Sequence, residues 1–163
     1  MWNGRKKALT FSYDDGIAQD IRLIEILNKY GLKGTFNLNS GLMMAGDSWT
    51  TDKGLFIRRL LPNEAVETYK GHEIAVHCVT HPHIINMPED ELRHEIMDDK
   101  NNLEQLFNCE IKGMAYPYGE YSDLIVKTAG ECGIKFSRTC DDLHCFAPQS
   151  DLLRFRATCH HRY

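Results

Sequence analysis

Residues 71–83 read GHEIAVHCVTHPH, and this stretch decides how the chain can fold. Residues 73–79 are mostly apolar with β-branched members, which predicts a strand, and Pro82 marks a turn after it. His77 and His81 stand at the carboxyl end of that strand. On a straight strand they would lie about 13 Å apart at ~3.3 Å per residue, too far to share one ion. If both bind one metal, the chain must therefore curl inward just after His77.

The first predicted strand supplies acidic residues for the same purpose. Residues 8–13 read ALTFSY and run directly into Asp14, Asp15 and Gly16. Adjacent carboxylates at the end of a buried strand are costly unless they are paired or bound to a cation. A divalent ion would be bound by one of them, while the other stays free and ionised beside it. A turn that caps the following helix is the alternative interpretation.

Predicted strands alternate with predicted helices along the chain, which favours a parallel sheet with right-handed crossovers. The strands are predicted at residues 8–13, 33–39, 73–79, 111–116, 135–139 and 152–159, and the helices at 17–30, 64–70, 88–107 and 121–132. A complete eight-unit barrel needs about 250 residues. The 163 residues leave room for six to seven βα units, so we expect an α/β fold, an incomplete and distorted (β/α) barrel. Residues 40–60, with three glycines, are predicted to be an inserted loop, a candidate substrate rim.

Composition narrows the class of protein. The net charge of -4 and the absence of a basic stripe argue against a nucleic-acid partner. No apolar run approaches the ~20 residues of a membrane span. The six cysteines form no CxxC pair, and residues 1–7 lack the apolar core of a signal peptide, so we expect a cytoplasmic protein with reduced thiols. A mature secreted form without its leader would look the same.

The whole chain, residues 1–163, is expected to form one catalytic domain. It stops four residues after Cys159, with no helix predicted beyond the last strand. The last edge of the sheet would then be covered by a partner subunit in a homo-oligomer, or by a native C-terminal segment that this chain lacks.

Four segments together resemble the motifs of the polysaccharide deacetylases, carbohydrate esterase family 4, also called the NodB-homology domain. They are TFSYDDG at 10–16, HCVTHP at 77–82, MAYPYG at 114–119 and TCH at 158–160. They fall in the family's order and cover nearly the whole chain. The resemblance implies a metal-dependent hydrolase that removes acetyl groups from an N-acetylated sugar or polysaccharide.

The resemblance also implies roles for the paired acids and histidines. Asp15, His77 and His81 would hold one divalent ion. Two imidazoles and one carboxylate favour Zn²⁺ for that ion. Asp14 would be the general base that takes a proton from the attacking water.

Two further roles concern the later motifs. Tyr118 would offer its backbone N–H to the oxyanion of the tetrahedral intermediate. His160 would be the general acid that protonates the leaving nitrogen, with His161 as the fallback because only one of two successive residues can face the site. A frayed polar C-terminus is the alternative interpretation of this pair.

The chain departs from the family's pattern at two motifs. Members often carry an arginine where Ala115 stands, and that arginine orients the catalytic aspartate. Arg138, at the end of the next predicted strand, is our candidate for the same task, and a surface arginine is the alternative. No tryptophan motif precedes the last histidine, since Trp2 and Trp49 stand elsewhere. Two other functions stay open: a small-metabolite amidohydrolase of this fold, and a non-catalytic sugar- or metal-binding module.

Overall fold

The computed structural model of the protein describes Gly4 and residues 6–160. Within this part of the chain, helices separate most of the strands, as predicted. They are β1 (Ser12–Asp14), α1 (Asp20–Lys29), β2 (Thr35–Leu38), α2 (Ser40–Ala45), β3 (Ser48–Thr50), β4 (Phe56–Arg58), α3 (Pro62–Thr68), β5 (Glu73–Val76), α4 (Glu89–Phe107), β6 (Gly113–Ala115), α5 (Asp123–Glu131), β7 (Phe136–Asp142) and β8 (Phe155–Ala157).

Six of these strands form one parallel sheet in the order β1-β2-β5-β6-β7-β8. The order follows the chain, as expected when each strand is followed by a crossover back to the same edge. Strands β1 and β8 lie at the two ends of this order and do not pair with each other. The barrel is therefore open, and the predicted incomplete (β/α) barrel is confirmed.

The sheet is strongly curled, and a hydrogen bond between two distant strands shows this. Four strand spacings separate β1 from β7, or about 19 Å in a flat sheet at ~4.8 Å per spacing. Nevertheless Nε of Arg138 on β7 donates to Oγ of Ser12 on β1 at 3.0 Å. The curl therefore brings the ends of distant strands to one place, where a site can form.

The core lies between the sheet and the helices that cover it. Strand β2 is buried along its whole length, as expected for a parallel strand covered on both faces. Helix α4 buries Leu92, Ile96 and Leu103 on one side. Each such side chain stabilises the fold by about 1.5–3 kcal/mol. This packing fixes the strand ends that carry the polar residues.

Several predicted boundaries were wrong. Residues 40–60 are not an irregular loop, because they contain α2 and an antiparallel hairpin of β3 and β4. Helix α3 begins at Pro62, two residues before the predicted start at residue 64, and it follows an extended Leu61. The expected last strand is split, since residues 152–154 form a 3-10 turn and β8 covers only the next three residues. None of the described helices is both long and apolar enough to cross a membrane.

Candidate metal centre

The turn after β1 presents the two acidic side chains. Asp15 has a left-handed backbone with φ 78°, and its N–H donates to the carbonyl of Asn37 on β2 at 3.0 Å. Gly16 follows with φ 65°, and a Cβ there would approach Leu38 to 3.0 Å. Such backbone is unfavourable for most residues, so this turn is held by its surroundings. Asp14 and Asp15 consequently point to different partners.

The chain after β5 curls as the shared-ion hypothesis requires. Cys78, directly after His77, has φ 64°, and His81 has φ 53°. The two imidazole rings consequently approach to 4.7 Å between centroids. One ligand atom from each of Asp15, His77 and His81 lies within 4.8 Å of the others. The structure thus brings together the three side chains that the sequence predicts as metal ligands.

The chemistry of these donors fits a divalent ion. Nδ1 of the buried His77 lies 2.7 Å from the carbonyl oxygen of Ala115, an acceptor that selects the Nδ1–H tautomer and leaves Nε2 free to bind a metal. Burial and the neighbouring His77 lower the pKa of His81, with Arg59 adding to the effect against the opposing charge of Asp15. A neutral imidazole is the form that binds a metal. Two imidazoles and one carboxylate are a common catalytic zinc set.

Asp99 is hydrogen-bonded to the loop that carries His77 and His81, and the sequence analysis does not predict this role. Its carboxylate accepts the backbone N–H of His77 at 3.0 Å and that of Ser40 at 2.7 Å. Burial raises the pKa of Asp99 to about 7, against these hydrogen bonds. The signal was present in the sequence, because Asp99 lies between Ile96 and Leu103 on the apolar face of α4.

Asp14 is held by Arg138 and Asn37. One guanidinium nitrogen of Arg138 donates to both Asp14 oxygens, at 2.5 Å to Oδ2, and Asn37 donates to Oδ1 at 2.8 Å. Burial raises the pKa of Asp14, but the charges of His77 and Arg138 and these hydrogen bonds outweigh it, so the pKa is lowered. Arg138 is the Cα partner of Ala115 on the neighbouring strand. The contact expected of Arg138 is therefore present.

Tyr118 lies beside His81 and lines the same cavity as His81 and Asp15. It lies in the 3-10 turn after β6 with φ 57°. Its ring stacks on His83 at 3.9 Å and meets His81 edge-on at 4.6 Å. Glu120 lies 2.7 Å from Nδ1 of His83 and accepts the N–H of Ile84, which holds this stack in place.

His160 lies close to Asp142, a partner that sequence reasoning missed. Its Nδ1 is 2.8 Å from Oδ1 of Asp142, the last residue of β7. The predicted strand over residues 152–159 ends early, at Ala157, so His160 lies beyond the end of β8. The fallback His161 and Trp2 lie outside the described residues.

A cavity of about 450 Å³ opens beside the ligand side chains. Trp49, from the hairpin, lies on its wall and is 36% exposed, while Tyr118 is 55% exposed. His160 does not line this cavity. The residues that do are Asp15, Leu42, Asp47, Trp49, Arg59, Thr80, His81 and Tyr118.

Comparison with known proteins places the chain in a family. The family model described as polysaccharide deacetylase matches residues 3–137. The peptidoglycan-N-acetylglucosamine deacetylase of Bacillus cereus is 27% identical over 130 residues, which cover 80% of this chain and 42% of that protein. The chain thus spans less than half the length of that relative.

Solved structures share the fold. The deacetylase PplD of Streptococcus pyogenes, solved in complex with acetate, is 26% identical and superposes with a TM-score of 0.75 over 85% of this chain and 58% of that one. A family 4 carbohydrate esterase from Streptomyces lividans, also with acetate, has a TM-score of 0.66 at 18% identity, covering 84% of this chain and 64% of that one. With the family model matched over most of its length, the chain belongs to the polysaccharide deacetylase family.

Proposed function

We propose that the protein is a metal-dependent polysaccharide N-deacetylase, which hydrolyses the acetamide of an N-acetylated sugar to acetate and a free amine. One observation carries the proposal: three metal-ligand side chains converge beside an ionised aspartate that an arginine holds. Membership of the family supports it. The printed name of the Bacillus cereus relative, with its N-acetylglucosamine substrate, supports the sugar class.

Asp15, His77 and His81 would hold the ion, and Zn²⁺ suits this donor set. When bound, such an ion lowers the pKa of a coordinated water to about 7 and so supplies a nucleophile at neutral pH. Asp14 takes the proton from the attacking water. Its lowered pKa keeps it ionised, and the contact with Arg138 keeps it oriented.

The other end of the reaction needs an acid and an oxyanion donor. The backbone N–H of Tyr118, at the cavity wall, donates to the developing oxyanion. His160 gives its proton to the leaving nitrogen, because an amine anion is too basic to depart. Asp142, whose Oδ1 lies 2.8 Å from Nδ1 of His160, is placed to orient the imidazole, as a carboxylate does beside a catalytic imidazole. His160 does not line the cavity, so its role as the acid rests on the resemblance of residues 158–160 to the family's last motif.

The walls of the cavity suit a sugar chain. Trp49 and Tyr118 expose aromatic rings, and the apolar faces of pyranose rings pack well on such surfaces. Asp47 and Thr80 add polar groups that can bond to hydroxyls. An exposed cavity of this kind suits a segment of a polymer better than a small metabolite that must be enclosed.

The contact between Arg138 and Asp14 also weakens the non-catalytic alternative. The main argument for a binding module is the missing arginine at position 115, and Arg138 supplies a guanidinium from the next strand.

Turnover of N-acetylglucosamine oligomers, measured as released acetate, tests the proposal. The metal-stripped protein should be inactive, and stoichiometric Zn²⁺ should restore it. A linear or cyclic small amide should not be hydrolysed. Hydrolysis of the small amide alone would favour the amidohydrolase. Sugar or zinc binding without acetate release, under every metal tried, would favour the binding module.

A further inference from the structure

Arg59 has a buried guanidinium between the turn that carries Asp15 and the loop that carries His77 and His81. Neither the sequence motifs nor the proposed chemistry assigns it a role. Its side chain is 5% exposed. It follows β4 directly and forms an isolated antiparallel bridge with Ile17, beside the turn that carries Asp15. A buried charge needs partners, so its contacts define what it does.

Arg59 contacts both the backbone carbonyl and the carboxylate of Asp15. Nη1 donates to the backbone carbonyl of Asp15, and Nη1 and Nη2 lie 3.3 and 3.2 Å from Oδ1 of its carboxylate. The same Oδ1 is 3.9 Å from Nε2 of His81. Both side-chain contacts from Arg59 fall on Oδ1, so the other carboxylate oxygen of Asp15 keeps its lone pairs for an ion. The contact therefore fixes how Asp15 presents itself to an ion.

Arg59 also reaches the segment that carries the two histidines. Its Nη1 donates to Oδ1 of Asn39 at 2.8 Å. Nδ2 of Asn39 in turn donates to the carbonyls of His77 and Cys78 at 2.5 and 2.9 Å. One guanidinium thus joins, through a single amide, the turn with the carboxylate ligand to the loop with the imidazole ligands.

The charge of Arg59 has a counter-ion on its outer side. Its Nε lies 3.4 Å from Oδ2 of Asp47, and its guanidinium lies 5.4 Å from the ring centre of Trp49. With Asp15 and Asp47 both ionised, the three groups carry one net negative charge. The three groups therefore carry the same net charge as a single carboxylate ligand, and the hydrogen bonds among them hold the Asp15 side chain in place.

We infer that Arg59 is a positioning residue of the metal centre, which holds Asp15 and the His77–His81 loop in the arrangement that binds the ion. This inference rests on the proposed metal-dependent function. The orientation that Arg59 provides outweighs the repulsion between its charge and the ion. Groups that orient metal ligands typically change metal affinity by 10–100-fold when removed.

Arg59→Gln and Arg59→Lys test the inference, with Arg58→Gln as the matched control. Arg58 is the preceding residue, but its guanidinium faces outward and pairs with Glu64 at 2.7 Å. Zn²⁺ affinity would be measured by competition with a chromophoric chelator. The absorption spectrum of the Co²⁺-loaded protein would report the ligand geometry, and circular dichroism of the metal-free protein would report folding.

We expect both Arg59 variants to bind Zn²⁺ 10–100-fold more weakly and to show an altered Co²⁺ spectrum, while Arg58→Gln matches the wild type. Lysine keeps the charge but cannot donate to Asp15 and Asn39 in the same fork. If Arg59→Gln does not fold, Arg59→Lys alone decides. Unchanged or tighter zinc binding, with an unchanged spectrum, would overturn the inference. If the wild type itself bound no metal, the proposed function would fail, which is a different result.

Discussion

Asp14 and Asp15 are neighbours in sequence, but they contact different residues in the structure. Substituting each acid can therefore show whether the two have different roles. Asp14→Asn should leave Zn²⁺ bound and lower turnover at least 10²-fold, because only the proton acceptor is lost. Zinc affinity and acetate release, measured on the same sample, check this. Asp52→Asn, an exposed acid, is the control. Loss of zinc with Asp14→Asn would mean that the roles of the pair are exchanged.

Arg138 should matter through orientation. Arg138→Lys keeps a positive charge near Asp14 but cannot reproduce the contacts to both its oxygens and to Ser12. A misplaced base can cost about 10²-fold, so kcat should fall by that order while zinc affinity stays. Steady-state kinetics checks this, with Arg156→Lys, an exposed residue of β8, as the control. An unchanged kcat would remove Arg138 from the machinery.

His160 and Asp142 form the remaining pair to test. His160→Ala should lower the rate by about 10²–10⁴-fold with zinc retained, and Asp142→Asn should cause a smaller loss. Both are measured as acetate release from the same oligomer. If His160→Ala has no effect and His161→Ala has that effect, the acid is the following residue.

The convergence of the three ligand side chains could be predicted from the sequence, because two of them lie near the carboxyl ends of predicted strands and His81 stands beside Pro82. Their supporting residues could not. Asn37, Asn39 and Arg59 act across strands and loops, and those contacts depend on strand register and on the curl of the sheet. No local pattern encodes either.

Helix α2 lies so close to the metal-ligand loop that only glycine fits at one position. A Cβ on Gly41 would come within 2.7 Å of a Val79 methyl and 2.8 Å of its carbonyl oxygen. Gly41→Ala should therefore destabilise the protein by about 1–3 kcal/mol and weaken zinc binding, because Val79 lies between His77 and His81. Thermal unfolding and zinc titration check both effects.

Gly130 in α5 is the matched control. Its nearest neighbour would be a Leu153 methyl at 3.5 Å, an ordinary contact. Gly130→Ala should be neutral or stabilising by up to about 1 kcal/mol, since alanine favours helices. Equal stability of the two variants would contradict the close approach at Gly41.

The long periodic helix α4 was predicted almost to the residue, because nineteen residues give the apolar pattern several turns to repeat. The short elements were not. Strands β3 and β4 have three residues each, too few to show a hydrophobic period, so the sequence pattern does not predict the hairpin. Strand β1 begins at Ser12, four residues later than expected. Tertiary pairing rather than local preference sets such short strands.

Asp20 is a second buried acid, besides Asp99, whose raised pKa should make the stability of the molecule depend on pH. Burial raises the pKa of Asp20 from 3.8 to about 6, although the Tyr69 hydroxyl donates to it at 2.6 Å. The folded protein thus binds a proton that the unfolded chain has lost between these pH values. Asp20 therefore stabilises the fold relatively more at low pH, and this contribution falls as pH rises from about 4 to 6.

Asp20→Asn removes that dependence. In metal-free protein, the variant should gain stability relative to the wild type by about 1–3 kcal/mol between pH 4 and pH 8. At ~2–4 °C per kcal/mol this is a measurable shift in Tm. A constant difference in Tm across the range would show that Asp20 titrates normally.

The class of fold followed from the alternation of strands and helices with the length of the chain, and the structure confirms it. The degree of curl did not follow, because it arises from packing over all six strands. The cytoplasmic location and the homo-oligomer stay predictions.

The pairing of Ala115 with Arg138 has a consequence for how such chains are compared. Two positions that face each other on adjacent strands can send a guanidinium to the same carboxylate. A sequence with arginine at both positions would keep a guanidinium beside Asp14 even if either one were then replaced. The absence of an arginine from one motif therefore does not indicate an inactive protein unless the paired position on the adjacent strand also lacks one.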